Sequence, residues 1–219
     1  MYGVSSLLSP IMVTLFYEAG SGWRTVFGAL AAGPLLIFGA SFISHLDVEA
    51  PAIPSAQPPP VPMPKSRVLW YSFAIAIYVV VEILVSTRLV LYARRDLGSS
   101  VEDANRLLSF FYLAMFAGRF FFAVVRVPFS HESLQYTAIL SSFVTISLGL
   151  LVHPGFLALS GLTMSFYYPV SMSRLSDELG VHTGAAMSWV LTVQSVALLA
   201  MHALVGTLSD SVGLKVALW

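Results

Sequence analysis

Apolar runs of similar length recur along the chain, separated by short polar breaks. They fall near residues 1–18, 24–43, 69–92, 107–126, 134–152, 155–175 and 184–208. Most approach the roughly 20 residues that a helix needs to cross the hydrocarbon core. A lipid-exposed segment must satisfy its own backbone hydrogen bonds. These runs lack the alternation of a barrel strand, so each predicts a helix. The breaks carry turn chemistry: Gly20, Ser21 and Gly22 after the first run, His153, Pro154 and Gly155 after the fifth. The longest break, residues 44–68, holds Pro51, Pro54, Pro58, Pro59, Pro60, Pro62 and Pro64. Proline at this density cannot continue a helix and favours extended backbone. The segment reads as a spacer between two bundles, 1–43 and 69–219, with a PxxP-binding partner as the other reading. The expected fold is all-α, a polytopic membrane bundle of about seven helices. The chain opens directly on an apolar run and closes on SDSVGLKVALW, which reads as a loop and the start of a further span. A partial chain is therefore expected.

Composition agrees. Hydrophobic residues make up 57% of the chain and charged residues 10%, against about 25% charged in soluble domains. Mean hydropathy is +0.82. Net charge is zero, which gives no reason to expect a nucleic-acid partner. The chain has no cysteine, so disulfides, thiolate metal sites and a cysteine nucleophile are excluded. The start MYGVSSLLSP lacks the basic segment of a signal peptide. The charges do not orient the chain. Lys65, Arg67, Arg126 and Arg174 fall on the side of the proline segment, and Arg24, Arg94, Arg95, Arg106 and Lys215 on the other. HExxH, Walker and GxSxG patterns are absent and the histidines show no ligand spacing. No enzymatic activity, metal or cofactor is expected.

Polar residues inside the runs are where function is sought. Glu82 lies near the middle of the 69–92 run. An ionisable group there costs at least about 2.5–3.5 kcal/mol on insertion scales, and such groups usually face a bundle interior or a water-filled path. Tyr78, Glu82 and Ser86 are four apart and share one helix face. Either this stripe exchanges protons or binds solute, or Glu82 pairs with a base that locks the bundle. Arg88 is a poor intrahelical partner, because six residues place it about 120° round the helix. In the sixth run Ser160, Thr163, Tyr167, Ser171 and Arg174 repeat at the period of one helix face. They either line a cavity or, as small hydroxyl residues do, join helices. Pro169 should kink this helix near 165–169. Gly118 permits close helix approach. Arg119 is read as a gate pairing with Asp177 or as an anchor reaching the interface. The last run carries Ser188, Thr192 and Ser195 on one face, with Gln194 and His202 elsewhere. His202 is a relay member or a packing residue.

The order of these features resembles the major facilitator superfamily of transporters, in particular its fucose–proton symporter branch. The stretch GVSSLLSPIMVTLFYEAGSGWRTVF, with the Trp23–Arg24 pair, resembles that branch's fifth and sixth helices. YVVVEILVSTRLVLY resembles its seventh, where Tyr is followed four residues later by Glu or Gln. Gly118–Arg119–Phe120 resembles the end of its eighth. The stretch from Ser165 to Gly213, with Tyr168–Pro169 and the Gly206–Asp210–Gly213 ending, resembles helices ten and eleven. Val79, Val80 and Val81 stand where the branch has small residues, and Arg88 where it is neutral or aromatic.

The resemblance implies a twelve-helix fold of which this chain carries helices five to eleven, with the proline segment as the central cytoplasmic loop. It implies a monomer in the cell (inner) membrane that moves a small polar solute, a sugar in that branch, together with a proton by alternating access. Glu82, Tyr78 and Ser86 would serve proton coupling. Thr163, Tyr167, Tyr168, Ser171 and Gln194 would line the solute cavity. Gly118, Arg119, Pro169, Asp177 and Asp210 would serve gating or structure. A non-transporting sensor or scaffold with the same fold and a nonfunctional fragment are the alternatives.

Overall fold

A computed structural model describes residues 11–16, 18–43, 62–125 and 127–217. Among these residues there is no strand. The chain divides into two compact units, one within 12–63 and the other running from Pro64 onward. Most of the first apolar run and most of the proline segment lie outside the described residues.

In the first unit residues 12–16 are helical, and Gly20 (φ +70°) turns the chain. Helix α1 follows, Trp23–Ile43, with the Arg24 guanidinium over the Trp23 ring at 5.3 Å.

The second unit holds the remaining helices. Helix α2, Lys65–Arg95, begins four residues earlier than the apolar pattern predicts, since Lys65, Ser66 and Arg67 form its first turn on the Pro64 carbonyl. Proline before a first turn costs nothing, because that N–H has no intrahelical partner anyway. Arg94 and Arg95 occupy the last turn, where cations suit the helix dipole. Helix α3, Val101–Val124, is capped by Ser100, whose Oγ accepts from Asp103 N at 3.0 Å and donates to the Asp103 carboxylate at 2.7 Å. Helix α4, His131–Leu151, is capped in the same way by Ser130, which accepts from Ser133 N.

The sixth run forms two helices. Helix α5 spans Gly155–Met164 and α6 spans Tyr167–Leu179. The interruption at Ser165–Phe166 falls where Pro169 withdraws its N–H from the carbonyl four residues earlier. Helix α7, Thr183–Val212, and the short α8, Leu214–Ala217, complete the order.

α2 packs along α7 and α3, α5 lies against both α3 and α4, and α4 also meets α6. In a bilayer such association rests on close packing and interhelical hydrogen bonds rather than on withdrawal from water. Glycines mark the tightest contacts. A Cβ on Gly161 would lie 2.1 Å from the Phe111 carbonyl oxygen, and one on Gly149 2.5 Å from Leu157 Cγ. The buried cluster around them includes Tyr78, Leu89, Phe111, Met115, Met164 and Tyr167. Outward faces stay apolar: Ile139, Leu140, Phe143 and Val144 of α4 are all exposed. Among the described residues five stretches are long and apolar enough to cross a membrane, the last running through α5, α6 and α7 from Gly155 to Val212.

Candidate functional site

The polar stripe of α2 and the break between α5 and α6 meet in the interior of the second unit. Glu82 is 6% exposed. Its partner is on neither its own helix nor α6: Arg119 Nη2 of α3 lies 3.2 Å from Glu82 Oε1. The same guanidinium donates through Nε to the Ser165 carbonyl at 3.3 Å. Tyr78, one turn before Glu82, donates its hydroxyl to the Met164 carbonyl at 2.7 Å. The two α2 stripe residues thus reach, one directly and one through Arg119, the carbonyls at the end of α5. Tyr78 also stacks on Tyr167, with ring centroids 3.8 Å apart and planes 19° from parallel. The Tyr167 hydroxyl returns to the Ala74 carbonyl at 3.4 Å.

Gly118 allows this junction to close. A Cβ there would stand 2.0 Å from Ser165 Oγ and 2.7 Å from Ser165 Cβ. Only a glycine lets α3 approach the break closely enough for the next residue, Arg119, to reach two acceptors.

Three cavities surround the junction. One of about 450 Å³ lies beside the first turns of α2; Trp70, Tyr71, Gln135, Tyr136, Tyr167 and Arg174 are among its walls. A second, of about 390 Å³, is bounded by Tyr78, Ser142, Met164 and Tyr167 among others. A third, of about 500 Å³, is bounded by Arg119, His131, Pro169 and Ser173 among others. Tyr167 belongs to the first two and Arg119 to the third.

The remaining predicted residues are placed as follows. Ser86 is buried, but its hydroxyl donates to the Ile83 carbonyl of its own helix at 3.2 Å. Thr163 belongs to a hydroxyl cluster that joins α5 to α4, bonded to Ser142 at 3.2 Å and Thr145 at 3.1 Å. Ser171 is fully buried and accepts from Gln135 Nε2 at 2.8 Å. Tyr168 borders neither cavity that Tyr167 borders, because one residue turns the side chain about 100° round the helix. Gln194 is half-buried on α7, its Oε1 buried and without a hydrogen-bond partner. Arg88 Nε is in the same condition. His202, Asp210, Ser188, Thr192 and Ser195 are exposed.

The pairing of Arg119 with Asp177 is corrected. Asp177 lies twelve residues beyond Ser165, about 18 Å along a helix, and Arg119 is held at Ser165. Asp177 instead faces His131 Nδ1 at 3.7 Å. Arg174, at the same end of α6, is held by Glu132 at 2.7 Å, Gln135 at 2.9 Å and Glu178 at 2.8 Å.

Sequence reasoning missed Gln135, Ser142 and Thr145 on α4. The signal was present: Ser141, Ser142 and Thr145 form a hydroxyl patch at helical spacing, and Gln135 lies two turns earlier on the same helix.

No protein-family model, no curated protein and no solved structure matches the chain. The helices define the class: an all-helical protein with several segments long and apolar enough to span a bilayer, as in an integral multi-pass membrane protein.

Proposed function

We propose that the protein belongs to a secondary transporter of the major facilitator type, which moves a small polar solute together with a proton by alternating access. The observation that carries the reading is the junction of Glu82, Arg119 and the interrupted α5–α6 helix. A buried carboxyl inside a spanning helix, next to broken backbone and paired to an arginine that borders a cavity, is the arrangement in which ions and substrates are carried through membranes. Tyr78 and Tyr167 wall the cavity of about 390 Å³, where a solute would meet their ring edges, the hydroxyls being already donated to the Met164 and Ala74 carbonyls. A sugar fits such walls, since its apolar ring faces stack on aromatics and its hydroxyls bond to polar groups such as Gln135. We place the protein, as a monomer, in the cell (inner) membrane and assign it no enzymatic activity or cofactor.

The test is Glu82→Gln in the full-length protein reconstituted in vesicles. Uptake driven by a pH gradient should be lost while counterflow exchange of solute persists. Uptake that stays fully proton-driven removes Glu82 from this role.

A second reading has its own observation. Glu82 already has a cationic partner, as a carboxylate in a purely structural lock would. A non-transporting sensor or scaffold would then show no uptake or exchange of any candidate solute, with wild-type Glu82 in place.

A further inference from the structure

Pro169 lacks an N–H, so the carbonyl of Ser165 has no helical donor. Arg119 supplies one. Its Nε reaches Ser165 O at 3.3 Å while Nη2 reaches Glu82 at 3.2 Å. A guanidinium is a planar fork of donors and can hold two acceptors at once, which a lysine ammonium on a flexible stem does far less well. The Arg119 side chain keeps 27% of its exposure and the Glu82 side chain 8%. Arg119, Pro169 and His131 share the walls of the 500 Å³ cavity, so the arginine has space to turn into.

We infer that Arg119 is a positioning residue that ties the protonation state of Glu82 to the angle between α5 and α6. With the carboxylate charged, the guanidinium is pinned between Glu82 and Ser165, and the start of α6 is held against α3. A proton arriving on Glu82 neutralises the carboxylate and cancels the Coulomb attraction. The positive charge stays on Arg119, which turns into the cavity beside Pro169 and releases the Ser165 carbonyl. The first turn of α6 then swings away from α3, while its far end stays anchored to α4 through Arg174, Glu132 and Gln135. Tyr167, its first residue, leaves the stack on Tyr78 and reshapes both cavities that it borders.

The charged and titratable groups around Glu82 are few. Arg119 comes from α3, Tyr167 from α6, and Tyr78 and Arg88 from α2 itself. Those of α7, His202 and Asp210, are exposed. His131 of α4 borders the cavity that receives the arginine.

The inference rests on Glu82 as the group that exchanges the proton, and its test does not depend on transport. The chain has no cysteine, and spin labels are introduced at Phe121→Cys on α3 and Tyr168→Cys in the first turn of α6, in the full-length protein in lipid nanodiscs. A Phe110→Cys and Leu159→Cys pair across α3 and α5 serves as the control. Pulsed EPR distances between the first pair should shift between high and low pH, and those of the control pair should not. Glu82→Gln should give the low-pH distribution at every pH. Arg119→Lys, which keeps the charge but not the fork, should do the same. An unchanged wild-type distribution across pH, or wild-type behaviour in both variants, overturns the tie. Should Arg119→Lys fail to fold, the wild-type pH shift and its loss in Glu82→Gln decide the matter. Proton-driven uptake with fixed distances would remove the tie and leave transport standing. Shifting distances without proton-driven uptake would support the tie and remove the transport reading.

Discussion

The Tyr78 hydroxyl donates to the main-chain carbonyl of Met164 at 2.7 Å, across 86 residues of sequence. The last residue of α5 is thereby fixed to the middle of α2. Tyr78→Phe keeps the ring and its stack on Tyr167 but removes this donor. A buried carbonyl left without its partner costs about 1–3 kcal/mol, with the low end favoured inside a membrane. Thermal unfolding in detergent should show the loss. A melting curve unchanged from wild type would mean that the bond contributes nothing.

The Glu82–Arg119 pair invites a double-mutant cycle. Removing one partner of a buried ion pair costs about 3–5 kcal/mol, whereas replacing both with apolar residues is often neutral. Arg119 retains 27% of its exposure, which places the single-variant cost at the lower end. Glu82→Leu and Arg119→Met should each destabilise the protein, and the double variant should be more stable than either. Additive losses in the double variant would show that the two side chains are not coupled.

Two glycines at the α3–α5 contact should respond differently to the same change. Gly118→Ala drives a methyl into the Ser165 side chain, and Gly161→Ala drives one into the Phe111 carbonyl. Both overpack and should cost about 1–3 kcal/mol. Ser165→Gly clears the Oγ and Cβ that a residue-118 methyl would meet, so it should restore much of the stability lost in Gly118→Ala. No side-chain truncation at Phe111 clears a backbone oxygen. A Gly161→Ala variant rescued by Phe111→Ala would contradict the geometry.

Pro169→Ala returns an N–H that can donate to Ser165 O in competition with Arg119. Helix propensity favours the change by up to about 3 kcal/mol. Peptides spanning 165–172 should exchange their amide hydrogens more slowly than in wild type. Exchange that is equal or faster would show that proline is not what interrupts the helix.

The pattern of long apolar runs placed the ends of α2, α4 and α7 to within four residues and the start of α3 to within six, because lipid-spanning helices are uniform in length and composition. The interruption of the sixth run was legible for a covalent reason: proline lacks an N–H whatever surrounds it. The stripe residues Tyr78 and Glu82 were legible because polar groups stand out against an apolar helix. The partner of Glu82 was not. Arg119 lies 37 residues away on another helix, and nothing in a one-dimensional pattern distinguishes Glu82 from Asp177 as its acceptor.

By itself, then, the sequence determined the helices, their break and the polar stripe of Tyr78, Glu82 and Ser86, since each follows from local chemistry and a fixed helical period. Tertiary structure alone decided who meets whom. Gly118 opens room for α3 against Ser165, Pro169 frees the carbonyl there, and these two local facts join only when α2, α3 and α5 pack together. That packing sends Arg119 to Glu82 and Ser165, leaves Asp177 to His131, and draws Tyr167 rather than Tyr168 onto Tyr78.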